Sequence, residues 1–232
     1  MGERFFRWRL VVIVGFFGLA VAWAVWMLKN PDLAVRAPLV RSLSELVGLR
    51  LVFVVSGALA LLAFALRASG EARLGAAVYG QTASTRVVTG GPFRWLRHPL
   101  YAGTWLFFVA ATAPYLAPLV LAVLSAAFFA CLRAIAIHEE VALQAAHGDA
   151  WTRYAAAVPR LFGVAGAVEP DGIRLSGSNI AAATLGNLGL LSIGLYRVLV
   201  GFGAPTKLLG VLNVACLGLW LAVVFVRRAR RT

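Results

Sequence analysis

Two short motifs carry the residue types in this chain that could do chemistry. Residues 97–101 read RHPLY and combine a guanidinium, an imidazole and a phenol, and residues 138–140 read HEE and place two carboxylates side by side. Cationic groups hold a carboxylate, acidic groups hold an ammonium or sugar hydroxyls, and a tyrosine ring faces a cation or packs on a flat base. Together these residues suit S-adenosylmethionine, a zwitterion with a sulfonium and an adenosine. A charge network that only seals two helix ends is the alternative.

The elements that must position these motifs are membrane helices. The chain has 232 residues, of which 61% are hydrophobic and 13% charged, and its mean hydropathy is +0.85. A soluble domain is roughly 45–50% apolar and 25% charged, so this composition excludes a soluble globular protein and a disordered one. It indicates an all-α fold, a polytopic bundle of membrane helices. The two cysteines lie in apolar runs, which excludes a disulfide scaffold.

Apolar stretches of the length needed to cross a bilayer predict about six spans. They are residues 10–28, 51–66, 99–113, 118–137, 175–196 and 208–226. The uncharged stretch 99–132 is too long for one helix, and Pro114 and Pro118 break it into a helical hairpin with its turn at 113–118. A cleaved signal peptide is the alternative to the first span, because residues 22–24 resemble a cleavage site.

The expected domain organisation follows from this hairpin. Residues 1–75 form N-terminal spans, residues 76–165 form a core with the hairpin, and residues 166–232 form a C-terminal pair of spans. Residues 70–80 and 168–177 are the expected loops. Because the hairpin helices are antiparallel neighbours, their ends away from the turn must lie close together, and this brings the two motifs side by side.

The distribution of charge predicts an orientation. The formal net charge is +13, and most Lys and Arg residues fall on one side of the predicted spans. Basic residues fix membrane orientation and contact anionic headgroups. We therefore expect an integral membrane protein with both termini and the site on the cytoplasmic side, and membrane lipids rather than nucleic acid as partners. The abundance of Ala, Arg and Gly suggests a bacterial inner membrane.

Residues 90–103, which read GGPFRWLRHPLYAG, resemble the superfamily of isoprenylcysteine carboxyl methyltransferases and phospholipid methyltransferases. That superfamily shows RHPxYxG before a helical hairpin, and then EExxL, a glycine, a tyrosine and Val-Pro. The second part here reads EEVAL at 139–143, followed by Gly148, Tyr154 and Val-Pro at 158–159. The resemblance implies S-adenosylmethionine-dependent transfer of a methyl group to a lipid or small hydrophobic acceptor, with the cofactor in a cytoplasmic pocket.

The resemblance also implies which residues contact the cofactor, on the two motifs and on a strand-like stretch before them. They are Thr85, Arg86, Val87, Val88, Phe93, Arg97, His98, Pro99, Leu100, Tyr101, Glu139 and Glu140. Methyltransferases that act on prenylated cysteine place an arginine one helical turn before the first glutamate, where this chain has Ile135. Arg133 is the nearest basic residue and the candidate for substrate contact, so a prenylcysteine carboxylate is disfavoured as acceptor.

Other acceptors and other functions stay open on the sequence. A phospholipid amine, a small thiol, an isoprenoid acid and a quinone-like phenol all fit as acceptors. Sterol-type membrane reductases that use NADPH carry a similar RHPxYxG and a similar Gly…Tyr…Val-Pro ending, although the EExxL pattern favours methyl transfer. A haem-binding isomerase with iron on His98, His138 or His147, and a non-enzymatic helix bundle, are the remaining alternatives. We expect no metal cluster.

Overall fold

A computed structural model gives the fold of three stretches of the chain, residues 3–30, 41–79 and 87–229, with side chains described for residues 9, 11–30, 41–75 and 87–220. Within these stretches the fold is all-α, as predicted, with eight α-helices, one 3₁₀ turn and no strand. The helices are α1 Glu3–Lys29, α2 Leu43–Val47, α3 Leu49–Tyr79, α4 Pro99–Thr112, α5 Pro118–Ala157, α6 Gly177–Gly186, α7 Leu188–Gly201 and α8 Thr206–Ala229, and the 3₁₀ turn is Gly91–Arg94.

Three of these helices are long and apolar enough to cross a membrane, over Val11–Lys29 in α1, Leu49–Gly75 in α3 and Pro118–Ala157 in α5. The bent pair α6–α7 makes a fourth span if its two helices, which meet at 65°, count as one. The described residues thus give fewer spans than the six predicted. One predicted span is short, because α4 has 14 residues, or about 21 Å, against about 30 Å for the hydrocarbon core. The last predicted span is counted only over its described residues, Thr206–Trp220 of α8.

The predicted helical hairpin is present as α4 and α5. Tyr115 and Leu116 donate backbone hydrogen bonds to the carbonyl of Thr112, at 2.9 and 3.1 Å, and so close the last turn of α4. Pro118 then begins α5 at a position where a missing N–H does no harm. We call the end formed by residues 113–118 the turn end of the hairpin, and the opposite end the open end.

The prediction of a loop over residues 70–80 is wrong, because α3 continues to Tyr79. Gly70 does not break the helix. It lets α3 pack closely on α4, because a Cβ at this position would lie 2.6 Å from Leu100 Cδ1. The second predicted loop agrees with the structure, in which the chain between α5 and α6 has no helix.

The helix that leaves the turn is also longer than predicted. We expected it to end near Ile137, but α5 extends to Ala157, since the continuation is rich in Ala, the residue that most favours helix. Its only non-helical backbone is at Gly148, with φ 52° and ψ −128°. Glycine alone adopts such a conformation without strain, so this residue redirects the last part of α5.

The hairpin packs against α1 through aromatic rings. Phe16 and Phe17 of α1 contact Phe128 and Phe108 of the hairpin, with ring centroids 4.9 and 5.2 Å apart. Both hairpin rings are fully buried. On another side, α7 packs closely on α3, where a Cβ at Gly57 would lie 2.8 Å from the backbone nitrogen of Val198. The hairpin therefore packs on α1, and α3 packs on α7.

Candidate active site at the open end of the hairpin

The open end of the hairpin brings the two sequence motifs together. His98 is the N-cap of α4, and Pro99 follows it as the first helical residue. The Nε2 atom of His98 lies 3.1 Å from Glu140 Oε1, and its Nδ1 lies 3.7 Å from Glu139 Oε2. His98 and Glu140 are 7% and 8% exposed. The imidazole thus faces two consecutive carboxylates, as the antiparallel hairpin predicts.

Glu140 is the most heavily paired carboxylate at this end. Arg160 donates to both of its oxygens, through Nε at 2.9 Å and Nη2 at 2.7 Å. The Nη1 atom of Arg97 lies 3.0 Å from Glu140 Oε2. With His98, the carboxylate has three cationic or hydrogen-bonding partners from two separate segments of the chain. Removing it would leave several buried groups unsatisfied at once.

Glu139 is held by groups from two other helices. The hydroxyl of Tyr101 donates to Glu139 Oε1 at 2.7 Å. The Nη1 atom of Arg9, on α1, donates to the same oxygen and, at 2.8 Å, to the tyrosine hydroxyl. We call the whole group the ionic cluster; it consists of Arg9, Arg97, His98, Tyr101, Glu139, Glu140 and Arg160.

The cluster combines a neutral ring with an excess of positive charge. Burial lowers the pKa of His98 below its usual 6.5, and the neighbouring carboxylates only partly oppose this, so the ring is neutral at pH 7. Burial also lowers the pKa of Arg97, whereas the hydrogen bonds to Glu140 raise the pKa of Arg160. Both remain charged, as arginines do in proteins. In formal charge, three guanidiniums therefore face two carboxylates.

The later part of the family pattern packs beneath the RHPLY motif. The backbone N–H groups of Arg97 and His98 donate to the carbonyls of Pro159 and Arg160, at 2.9 and 3.0 Å. Beyond the redirecting Gly148, the hydroxyl of Tyr154 donates to the backbone carbonyl of Phe93 at 2.8 Å. Three separated stretches of sequence are thereby fixed around one site.

The chain just before the 3₁₀ turn is held by one buried carboxylate. Asp171 accepts hydrogen bonds from the backbone N–H groups of Thr89 and Gly90, at 3.0 and 2.7 Å, through Oδ2. Its other oxygen lies 3.0 Å from Arg73 Nη1 of α3, and the side chain is 2% exposed. This clamp fixes the chain that leads into the 3₁₀ turn, in which Phe93 is 7% exposed.

Several predicted site residues are not in the ionic cluster. Thr85 and Arg86 lie outside the described residues. Val87 and Val88 are half-buried without regular secondary structure, so the expected strand-like stretch is absent from its described part. Arg133 is exposed on α5 and takes no part in the ion pairs that the described residues form.

A polar network behind the cluster was not predicted. Arg67 of α3 donates to Leu100 O at 3.2 Å and to the hydroxyl of Thr104 at 2.5 Å, and so holds the first turn of α4. It also pairs with Glu71 at 2.9 Å, and both side chains bond to Asn187, the residue at the α6–α7 bend. Two charges four residues apart in an apolar helix were the sequence signal for this network.

Arg9 and Arg160 were also missed as members of the site. In the sequence each looks like a basic residue that sets membrane orientation, and no local pattern states which helix α1 contacts. Their membership follows only from the packing of α1 on the hairpin and from the return of the chain after α5.

The cofactor pocket expected at the open end stays a prediction, because the side chains of the ionic cluster contact one another directly there. The structure does show an apolar cleft of about 150 Å³ at the turn end. It is lined by Phe17, Ala20, Val21, Ala24, Ala111, Thr112, Tyr115 and Leu116. Within the described part of the chain, no group of three or more His, Cys, Asp or Glu side chains is placed to hold a metal ion.

Comparison with known proteins supports the interpretation of the motifs. Residues 50–150 match the family model of the phospholipid methyltransferases. This segment covers α3 from its second residue, the hairpin as far as residue 150 and both motifs, so it confirms the resemblance to the superfamily of isoprenylcysteine and phospholipid methyltransferases. The match and the apolar helices support an integral membrane methyltransferase that acts on lipids. The chain has no significant match to a curated protein or to a solved structure.

Proposed function

We propose that this protein transfers a methyl group from S-adenosylmethionine to a lipid or other hydrophobic acceptor at the cytoplasmic face of a membrane, a bacterial inner membrane. The observation that carries the proposal is the convergence of His98 with Glu139 and Glu140 at the open end of the hairpin, inside the segment that matches the family model. The excess of basic residues on this side of the spans supports a cytoplasmic site.

The geometry between His98 and Glu139 suits a cationic group. A neutral imidazole that donates through Nε2 to Glu140 carries its lone pair on Nδ1, which lies 3.7 Å from Glu139 Oε2. Both atoms are then hydrogen-bond acceptors, which cannot bond to each other, and at this distance they are near enough to share one donor. An ammonium between them would donate to each, which supports this place for the ammonium of the methyl donor.

Arg97 of the cluster and residues outside it suit the other parts of the donor molecule. Arg97 Nε is buried without a hydrogen-bond partner, and a carboxylate would satisfy it. The buried ring of Phe93 provides a flat face for an adenine. The remaining proposed contacts are those that the resemblance implies, from Thr85, Arg86, Val87, Val88, Pro99, Leu100, Tyr101 and Glu140.

The chain's own contribution to catalysis is alignment and exclusion of water. When bound, S-adenosylmethionine supplies a methyl group on a sulfonium, which is already electrophilic, so the reaction needs an aligned nucleophile more than a strong base. The short α4 and its caps fix the positions of His98 and Tyr101 relative to Glu139.

Binding of the donor in detergent tests the proposal. Calorimetry with the full-length protein should show S-adenosylmethionine binding that is weakened at least about tenfold by His98→Ala and by Glu139→Gln, because each removes a charged or hydrogen-bonding contact. His147→Ala, which removes a histidine of α5 outside the cluster, is the matched control and should bind like the wild type. Unchanged affinity in both site variants would remove these residues from the site.

Two further measurements separate the proposal from its alternatives. S-Adenosylmethionine should raise the melting temperature and NADPH should not; the reverse result would indicate a reductase. A Soret band in the purified protein would indicate haem. Incubation with a methyl-labelled donor and extracted lipids, followed by identification of the labelled product, then gives the acceptor.

A further inference from the structure

We propose that Arg9 is a positioning residue of this site, contributed by a helix that lies outside the matched segment 50–150. It holds the carboxylate of Glu139 by Oε1, so that Oε2 faces the His98 side and is left for a cationic group of the ligand. The inference rests on the proposed function, since it assigns Glu139 to the ammonium of the methyl donor.

The contacts of Arg9 converge on one oxygen atom. Its Nη1 donates to Glu139 Oε1 and to the hydroxyl of Tyr101, and this hydroxyl in turn donates to the same oxygen at 2.7 Å. The tyrosine therefore accepts from the guanidinium and donates to the carboxylate, which uses both capacities of its hydroxyl. Two donors on one oxygen fix the rotation of a carboxylate that a single donor would leave free to turn.

The position of Arg9 on α1 follows from the packing of that helix. Arg9 precedes Phe16 by seven residues and Ala20 by eleven, which places all three on one face. Phe16 lies 4.9 Å from Phe128 between ring centroids, and Ala20 is 4% exposed within the same core. The face of α1 that packs on the hairpin thus also carries Arg9. The side chain of Arg9 is 29% exposed and that of Glu139 is 17% exposed.

Arg9 does not occupy the place that the proposal gives to the ligand. The guanidinium engages Oε1, whereas the acceptor pair Nδ1 of His98 and Oε2 of Glu139 lies on the other side of the carboxylate. The residue therefore orients Glu139 and does not compete for it. A competing cation would behave in the opposite way, because its removal would strengthen ligand binding.

The test compares two ligands that differ in the group Glu139 would hold. S-Adenosylmethionine carries an ammonium, a carboxylate and a sulfonium, whereas 5′-methylthioadenosine has an uncharged thioether and neither of the other two groups. In the full-length protein, Arg9→Ala should weaken S-adenosylmethionine binding by about tenfold and leave the affinity for 5′-methylthioadenosine unchanged. Arg9→Lys should restore part of the loss. Lys29→Ala, which removes an exposed charge at the far end of the same helix, should affect neither ligand.

Three results would overturn the inference: equal losses for the two ligands, an unchanged affinity for S-adenosylmethionine, or tighter binding in Arg9→Ala. A double-mutant cycle on thermal unfolding without ligand, with Arg9→Ala, Glu139→Gln and both together, should show non-additive losses. Additivity would refute the contact itself. If the wild type binds no S-adenosylmethionine, the proposed function fails, and the cycle distinguishes that failure from a failure of the Arg9 contact.

Discussion

Arginines hold both ends of α4, but with different kinds of partner. At the turn end, Arg197 is 5% exposed. It donates to the carbonyl of Ala111 at 2.9 Å and to that of Ala110. Its guanidinium also lies 5.8 Å from the ring centroid of Phe53 and 5.6 Å from that of Tyr115. Among the described residues it forms no salt bridge.

At the open end the partners are carboxylates. Both arrangements agree with the helix dipole, which favours a cation at the C-terminus of α4 and anions near its N-terminus. The carbonyls around Arg197 belong to the helix backbone and the ring of Phe53 to the core, so these groups are not free to change partner. At the open end Glu140 is shared by three residues and Glu139 by two. A carboxylate with several partners is able to give up one of these contacts and bind a ligand instead. This property distinguishes a binding site from a contact that only caps a helix.

Glu140→Gln should have the largest effect. It removes the charge that Arg97 and Arg160 share with His98 in a nearly buried place, and breaking such a pair destabilises a protein by about 3 kcal/mol or more. Thermal unfolding and methyl transfer should both show the loss. Glu45→Gln is the matched control, since that glutamate only completes the capping box of the short α2. Similar small losses in both variants would contradict the central place of Glu140.

Arg197→Met tests the other end of α4. The carbonyls of Ala110 and Ala111 lose their donor, which should lower the free energy of unfolding by about 2 kcal/mol. The folded protein should still bind S-adenosylmethionine with wild-type affinity, measured by calorimetry below the melting transition. A clear loss of affinity in the folded variant would show that the two ends of α4 do not differ as described.

Asn187→Leu should have a smaller effect, because it leaves Arg67 and Glu71 paired with each other. We expect a loss of about 1 kcal/mol or more in thermal unfolding, because the three hydrogen bonds of this side chain, to Arg67, Glu71 and the carbonyl of Ala183, disappear. Asn213→Leu removes one hydrogen bond, to Ser192, and should cost less. An equal or larger loss in this control would show that the network behind the open end adds no stability of its own.

The pH dependence of stability should be the smallest effect. Because burial lowers the pKa of His98 in the folded state, the unfolded chain binds its proton more readily. The stability conferred by the neutral ring is therefore full above about pH 6.5 and is lost as the pH falls below that value. Denaturation between about pH 5 and pH 8 should show a steeper loss in the wild type than in His98→Gln. Equal slopes would show that His98 does not titrate in this way.

The hairpin and the meeting of its motifs could be predicted from the sequence, because Pro114, Pro118 and the lack of charge define two antiparallel helices. Antiparallel geometry alone then places His98 beside Glu139. The contribution of Arg9 could not be predicted, since the rotation and neighbours of an apolar helix depend on tertiary packing. The loop predicted over residues 70–80 was wrong for a related reason. The sequence does not distinguish a glycine at a helix–helix contact, such as Gly70, from a glycine in a loop.

The short length of α4 has a consequence for the lipids around it. If its turn end lies at one boundary of the hydrocarbon, its 14 residues leave the open end about 9 Å short of the opposite boundary. The bilayer must then become thinner around the protein to keep the ionic cluster in contact with water, at a modest elastic cost. This local thinning would bring lipid headgroups to the depth of Tyr101. The rate of turnover would then depend on the acyl-chain length of the surrounding lipids.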